Sequence, residues 1–488
     1  MPQVELNNCI HTVPVGTLLS EVLPGLSHPC GGKGVCGKCK VRVSGAVSSL
    51  TTTEQRHLTP SEIADGIRLA CCATVEGDCR VEMPSAAPVV VTAGENALAS
   101  VKPVFARFGA AVDIGTTTLA ARLYAPDGSL LAEMGAANPQ TAFGEDVLTR
   151  VESALGGKAA EVIEAIRTGL TRLLADLTAS AGLKPTDVDG VVVTGNTVML
   201  TLLTGGDVTP FATAPFSGHS RFGIALTGAQ IGLMECANAA VYLAPCVSAF
   251  VGGDAATALL ATELGNNELL LDIGTNGEMV LNANGILYAC STAAGPAFEG
   301  VGISCGMVAA PGAIDRVDLI NGAFHAHVIG GGKAAGVCGS GLVDALACLS
   351  MLDDPTGPIS LAPGIVLTIE DIQALLTSKS AIRSGLDTLL HTAGLSPDSV
   401  SSLTIAGGFG RYLNIPNAIR VGLLPPVAAQ RVRAVGNAAL DGASRLLLNT
   451  DLQDELRQKI DGVQVVDLAT NPYFVRRFME SMNLEVPR

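Results

Sequence analysis

Seven of the thirteen cysteines in this 488-residue chain precede residue 80: Cys9, Cys30, Cys36, Cys39, Cys71, Cys72 and Cys79. Cys30, Cys36 and Cys39 stand in the spacing C-x5-C-x2-C, with Gly31, Gly32, Gly34 and Gly37 among them. Thiolates so spaced hold a soft metal. Glycines, which lack a Cβ, let a loop wrap closely in φ > 0 conformations and turn its N–H groups toward the sulfurs of an iron–sulfur cluster. Lys33, Lys38 and Lys40 add positive charge beside an anionic cluster. A fourth thiolate must come from a distant segment, where Cys71 and Cys72 compete; Cys9 and Cys79 read as packed thiols. Zinc is the rival metal, but structural zinc usually uses two paired knuckles rather than three ligands and a remote fourth.

A second chemistry lies further along. Ala111-Val-Asp113-Ile-Gly115-Thr-Thr-Thr118 returns as Leu271-Asp272-Ile-Gly274-Thr-Asn-Gly-Glu278, with Asp113 and Asp272 159 positions apart. Such a turn offers a carboxylate for hydrated Mg²⁺, and a glycine and hydroxyl residues whose N–H groups can approach phosphates. Asp113 and Asp272 are therefore expected to hold Mg²⁺ and position water, with Gly115, Thr116, Thr117, Gly274, Thr275 and Asn276 at the phosphates. Glu278 is expected to orient water or the metal ion. Cys338-Gly339-Ser340-Gly341 reads as a loop entering a helix whose first amides, at Gly339 and Ser340, could receive phosphate. Gly252-Gly253-Asp254 offers either a further polar group or an N-cap. Gly330-Gly-Gly-Lys333 is no P-loop, because Ala334 stands where Ser or Thr is required.

The elements that position these residues change character along the chain. Residues 1–86 read as short alternating strands, residues 87–107 as a small-residue, Pro-bearing linker, and 108–488 as continuous apolar strands alternating with helices, the clearest over 152–181. The near-repeat implies two homologous halves, 108–265 and 266–488. Length suggests about three domains. Hydrophobic residues make up 48%, aromatics only 3% with no Trp, so the core is built from Ala, Val, Leu and Ile. Lys plus Arg 30 against Asp plus Glu 45 gives a net charge of −15, which argues against nucleic acid and anionic membrane as partners. The start, Met1-Pro-Gln-Val-Glu5, has no basic or apolar leader region, so a cytoplasmic protein is expected. The apolar run 239–253 is too short to span a bilayer and contains Pro245.

The cysteine layout with Arg68-Leu-Ala-Cys71 resembles a β-grasp 2Fe-2S ferredoxin domain, although the first spacing is one residue longer than the plant-type run. The resemblance favours Cys71 over Cys72 as fourth ligand, and adjacent strand residues face opposite sides. The paired Asp turns resemble the acetate and sugar kinase, heat-shock ATPase and actin superfamily (ASKHA), which closes two ribonuclease-H-like halves around ATP. In that likeness Val193-Thr-Gly195-Asn196-Thr197 matches the first connecting motif, and Ala406-Gly407-Gly408-Phe409-Gly410 the adenosine motif. Gly436-Asn437 would form the opposite wall or second connection.

Together the two parts resemble the reductive activators of corrinoid enzymes. Asn138-Pro-Gln140, Phe250-Val-Gly-Gly-Asp254 and Ser291-Thr292-Ala-Ala-Gly-Pro-Ala-Phe-Glu299 add to that likeness. It implies a 2Fe-2S cluster on Cys30, Cys36, Cys39 and Cys71, ATP and Mg²⁺, and one electron passed to cob(II)alamin on a partner corrinoid protein of a methyltransferase system. An unidentified low-potential donor supplies the electron, and a homodimer is open. Ser291 and Thr292 are candidate contacts to that partner. A middle domain that such proteins often carry is expected to be missing, no cysteine follows Cys348, and Met199-Leu-Thr-Leu-Leu203 lacks an expected histidine. Two alternatives remain: a small-molecule kinase of the same fold, and a ferredoxin-type carrier with an idle docking scaffold.

Overall fold

The computed structural model describes residues 1–6, 9–23, 26, 32, 34, 37, 39–82, 101–214, 216–218, 220–352 and 357–484. Cys30, Cys36, Gly31, Lys33, Lys38 and most of the expected linker lie outside the described residues. The chain divides into two compact units: Met1–Pro88 with Asn138–Ile166, and Val89–Ala137 with Arg167–Arg488.

In the first unit, strands β1 (Gln3–Leu6), β2 (Cys9–Thr12), β3 (Lys40–Val47), β4 (Ile67–Leu69) and β5 (Val75–Glu82) form one sheet in the order β2-β1-β5-β3-β4. β1 runs parallel to β5 and the other pairs are antiparallel, which is a β-grasp. Val4, Leu6, Val41, Val43, Leu69, Val75 and Val81 bury against helix α1 (Leu19–Val22). Helices α2 (Thr52–His57) and α3 (Pro60–Ala64) follow β3. The same unit contains α4 (Val147–Ser153) and the start of α5 (Ala159–Ser180), with a π-turn over Ala154–Lys158 between them. Helical structure thus starts earlier than the expected residue 152, because Asp146 caps α4 by accepting from the Thr149 N–H at 2.8 Å.

The second unit holds two six-stranded sheets that share a five-strand order and carry the sixth strand on opposite edges. β6 (Phe108–Ile114), β7 (Thr118–Tyr124), β8 (Leu130–Ala137), β9 (Val188–Gly195), β10 (Ile224–Thr227) and β11 (Ala240–Leu243) are ordered β10-β11-β9-β6-β7-β8. After α6 (Thr197–Thr204) and α7 (Gly253–Thr262) come β12 (Glu268–Ile273), β13 (Gly277–Ala283) and β14 (Ile286–Thr292). A smaller sheet is formed by β15 (Ala313–Ile320), β16 (Ala323–Val328) and β17 (Gly336–Val337), then α8 (Gly339–Leu349), a ribbon of β18 (Ile359–Ala362) and β19 (Ile365–Leu367), and the long α9 (Ile369–Thr392). β20 (Ser402–Ala406), α10 (Ile415–Arg420), β21 (Val432–Ala434), α11 (Ala438–Leu448), α12 (Asp451–Asp461), β22 (Gln464–Val465) and α13 (Pro472–Glu480) complete the chain. The second large sheet reads β21-β20-β12-β13-β14-β22.

In both sheets the first strand pairs antiparallel with the second and parallel with the strand after the crossover, β9 in one and β20 in the other. Strand alternation explains where the Asp turns point. Ala111 of β6 and Leu270 of β12 belong to one apolar cluster with α7 (Ala255, Leu259) and α11 (Leu440, Leu447). Two residues on, Asp113 and Asp272 face the same side, at the level of the first turns of those helices. Leu269, Leu271 and Ile273 face the other way, into a separate core with α8 and α9. No helix among the described residues is long and apolar enough to cross a membrane.

Candidate functional site

Asp113 ends β6 opposite Thr194, and Asp272 ends β12 opposite Ala406 and Glu278. Their carboxyls are crowded by other acids. Burial, with Asp254 and Asp272 adding to it against an opposing hydrogen bond from Asn437, pushes Asp113 up to about 7. Burial, then Asp254 and Glu299, push Asp272 up to about 7. Burial pushes Asp254 up to about 6, and Glu278 is raised well above its ordinary value by burial, Asp254 and Asp272. Among the described residues no arginine or lysine acts on these four groups. A buried, uncompensated acid set is costly to keep ionised unless a cation joins it. No three His, Cys, Asp or Glu side chains among the described residues converge on one point tightly enough to hold a metal alone.

The turns that follow are tight. The Gly115 N–H donates to the Thr118 carbonyl at 2.9 Å and the Gly274 N–H to the Asn276 carbonyl at 3.0 Å. Thr116 and Thr117 lie half-buried in the first turn. In the second, the Thr275 hydroxyl donates to Glu299 Oε1 at 2.9 Å, the Thr275 carbonyl accepts from the Gly295 N–H at 2.9 Å, and Asn276 hydrogen-bonds Glu278. The segment after β14 is therefore tied to this turn: Thr292 is buried in the sheet and Ser291 is half-buried opposite Glu278.

Gly195 and Gly407 occupy matching places after the crossover strands. Gly407 has φ +88°, and a Cβ there would sit 2.8 Å from Asp272 Oδ1, so any side chain would press on the carboxylate itself. Asn196 caps α6 by accepting from the Val198 N–H at 3.0 Å, which occupies its side-chain oxygen. Gly408 is exposed, and Phe409 packs on Phe298 with ring centroids 5.5 Å apart. A Cβ on Gly339 would overlap the Phe298 carbonyl and lie 2.8 Å from the Phe409 ring, so the start of α8 abuts the Gly407-Gly408-Phe409 turn. Ser340 is buried and its hydroxyl donates to the Asp315 carbonyl at 2.8 Å, so its side chain is already engaged.

Three residues acquire importance only in the structure. Asp254 is not the N-cap of α7, a place held by Gly252; it lies in the first turn, its charge acting on Asp113, Asp272 and Glu278. Glu299, quoted in the sequence only as the end of a loop, accepts from Thr275. Asn437 Nδ2 donates to Asp113 Oδ2 at 2.7 Å. The Gly252-Gly253-Asp254 run after an apolar strand signalled the first, and the Gly436-Asn437 motif placed the third at a wall of the site without its bond to Asp113; nothing local signalled Glu299 as a partner of Thr275.

In the first unit Cys39 Sγ lies 3.2 Å from Cys71 Sγ, and Cys71 Sγ 3.7 Å from Cys72 Sγ. Hydrogen bonding to Cys39, then burial, push the Cys71 thiol up. Gly32, Gly34 and Gly37 take positive φ, as a wrapped ligand loop requires, and Gly37 lies against His57, whose Cβ would be 2.8 Å from a Cβ there. Soft donors this close, in a glycine-lined loop, fit an iron–sulfur cluster. Lys40 is not free to offset such a cluster, since its ammonium pairs with Glu62 at 2.6 Å. Arg68 is buried on Glu54, with Nε–Oε1 at 2.8 Å and Nη2–Oε2 at 2.9 Å, and also donates to the Ser48 carbonyl at 2.7 Å. Glu54 in turn accepts from the Leu69 N–H at 3.1 Å, which fixes the strand that delivers Cys71.

Corrinoid activation enzyme RamQ of Eubacterium limosum is 31% identical to this chain over 418 residues, 78% of this chain and 70% of that protein. The chain belongs to the reductive activators of corrinoid proteins. A Co(II) methylated amine-specific corrinoid protein reductase of Methanosarcina barkeri is 27% identical over 312 residues, 55% of this chain and 57% of that protein. A solved structure of a reductive activator for corrinoid, iron-sulfur protein matches with TM-score 0.72 and 27% identity, covering 99% of this chain and 98% of that one. Family models match a 2Fe-2S iron-sulfur cluster binding domain over 7–76, the RACo middle region over 108–267, and the C-terminal domain of RACo, the ASKHA domain, over 266–354 and 355–487. The middle region expected to be missing is thus present in this activator. Its five-strand order repeats that of the C-terminal region, which is why its strands read as a first ATPase half.

Proposed function

We propose that this activator uses ATP to pass one electron from a 2Fe-2S cluster to cob(II)alamin on a partner corrinoid protein, regenerating the cob(I)alamin nucleophile for methyl transfer. The observation that carries the reading is the acid set of buried Asp113 with half-buried Asp254, Asp272 and Glu278, whose strongest influences include no basic group, in a chain that also brings Cys39 and Cys71 to 3.2 Å.

Asp113 and Asp272 would hold Mg²⁺ through its waters, Glu278 and Asp254 would orient the attacking water, and the turns at Gly115, Thr116, Thr117, Gly274 and Thr275 would receive the phosphates. Gly195 and Asn196 would close the first turn from behind, and Asn276 would steady Glu278. Gly407, Gly408 and Phe409, with the amides of Gly339 and Ser340, would receive the adenosine. Mg²⁺, when bound, would neutralise phosphate charge. Cys30, Cys36, Cys39 and Cys71 would hold the cluster, which supplies one electron per cycle and is re-reduced by an external low-potential donor. Of the two residues proposed to meet the corrinoid protein, Thr292 is buried, so any contact there runs through Ser291.

The transfer needs ATP because it runs uphill. A plant-type cluster sits near roughly −400 mV, and each ~59 mV of deficit costs about tenfold in a one-electron equilibrium. Nucleotide can shift that balance only by binding one state of the complex better than the other. Phosphate release by the cluster-loaded protein, with and without a cob(II) corrinoid protein, tests the assignment. Turnover that rises with the corrinoid protein is expected. Turnover that needs a small acceptor and no cluster would mean a kinase, and none at all an idle scaffold.

A further inference from the structure

We propose that Asn437 is a positioning residue for the Mg²⁺–nucleotide site: its amide fixes the Asp113 carboxylate in the orientation that receives the hydrated metal ion. The inference rests on the Mg²⁺–ATP reading above and adds a residue to it.

Asn437 makes two bonds that determine each other. Its Oδ1 accepts from the Leu440 N–H at 2.8 Å, capping α11, and its Nδ2 donates to Asp113 Oδ2 at 2.7 Å. An amide has one oxygen and one nitrogen, so the cap assigns its orientation: the oxygen must face the Leu440 N–H, and the NH₂ must face Asp113. Oδ2 of Asp113 is then held as an acceptor by Asn437, and Oδ1 is the oxygen left to meet the metal's water shell. The two residues are 324 positions apart, so only the fold can bring them together.

The helix that carries Asn437 is itself fixed over the first sheet. One turn further along α11, Asp441 accepts from Arg122 Nη1 of β7 at 2.5 Å, and Gly442 lies so close to the Thr257 carbonyl of α7 that a Cβ would overlap it. α11 therefore grips β6 through Asn437 and β7 through Asp441. Asp272 is met differently, with burial, Asp254 and Glu299 as the influences that raise it. The matching helix, α7, brings it the like charge of Asp254. Asp113 feels Asp254 and Asp272 as well, and the Asn437 amide is the group that opposes that repulsion there.

The test separates capping from positioning. Asn437→Ser keeps a side-chain oxygen that caps well but is too short to reach Asp113, whereas Asn437→Ala removes both functions; the cap alone is worth about 1 kcal/mol. Binding of ADP to the full cluster-loaded chain is measured by calorimetry with and without Mg²⁺, beside the melting temperature and the visible spectrum. The expected result is that Ser recovers the melting temperature lost by Ala, but that both variants lose about 10- to 100-fold of the Mg²⁺-dependent tightening of ADP while Mg²⁺-free binding and the cluster spectrum stay as in the wild type. If Ser keeps that tightening within twofold, Asn437 is only a cap and the proposal is overturned. If wild-type protein shows no Mg²⁺-dependent tightening, the Mg²⁺–ATP reading itself falls, and this inference with it.

Discussion

The two Asp-Ile-Gly turns stand at the same place in the same fold and live in different surroundings. Asp254 acts on both, but Asp113 is also met by the neutral amide of Asn437 from α11, and Asp272 by a further carboxylate, Glu299. Gly115 has no room for a Cβ, which would lie 2.7 Å from the Thr118 carbonyl, whereas at Gly274 the nearest atom would be 3.7 Å away. The repeat has kept the strand order and diverged in what each helix N-terminus delivers. The first turn leaves no room for a side chain; the second is tied through Thr275 to Glu299 and Gly295, and its crowded acids are relieved when a cation joins them. The second turn is accordingly the one expected to sense whether Mg²⁺–nucleotide is bound.

Replacement of the carboxylate itself is the largest expected effect. Asp272→Ala should reduce ATP-driven corrinoid reduction on the order of 1,000-fold, the upper range for removing one group that stabilises transition-state charge, with the cluster spectrum intact. Loss of the spectrum as well would make Asp272 a folding residue. The first side of the comparison is tested by Asp441→Ala, which leaves Arg122 buried with less compensation and should cost about 3 kcal/mol in chemical denaturation, since breaking a buried pair strands a charge. A cost under about 1 kcal/mol would show that Glu133, which also pairs with Arg122, suffices alone.

A pH series sharpens the contrast. Because the folded Asp272 carboxyl is pushed up to about 7 from an ordinary value of 3.8, the folded state holds its proton longer than the unfolded state does. Its contribution favours folding below about pH 4 and is lost as pH rises through 7. Asp272→Asn should therefore stabilise the nucleotide-free protein at pH 8 by about 2 kcal/mol, allowing for partial exposure, and leave it unchanged near pH 4. Equal stability at pH 8 would mean that burial and the neighbouring acids do not raise Asp272. The smallest effect belongs to the Gly407-Gly408 turn. Gly407→Ala should lower turnover about tenfold by displacing the Asp272 carboxylate, while Gly408→Ala, with open space around it, should stay within twofold. Steady-state phosphate release reads both.

What the sequence revealed is what spacing can encode. Short-range spacing named Cys39 with Cys30 and Cys36, the likeness to a ferredoxin added Cys71 over Cys72, and the repeat of Asp113 at Asp272 implied a duplicated α/β fold before either sheet was seen. What it hid is what only long-range packing makes. Asn437 acquires its meaning 324 positions from Asp113, and Glu299 through a loop folded back onto Thr275. Arg68 read as part of a ferredoxin signature, yet its work is to bury a charge pair with Glu54 behind the ligand strand. Lys40 looked available to the cluster until Glu62 took it. Asp254 was visible as a residue after two glycines, but a cap and a site residue look alike without the neighbouring carboxylates.

The most direct test is anaerobic visible spectroscopy of a corrinoid protein held as cob(II), mixed with the reduced, cluster-loaded chain, with and without Mg²⁺–ATP. The account predicts conversion of cob(II) to cob(I) with Mg²⁺–ATP, and little without it or with Asp272→Ala. Cobalt that stays cob(II) across a range of corrinoid partners, with the 2Fe-2S spectrum intact and ATP present, would contradict it.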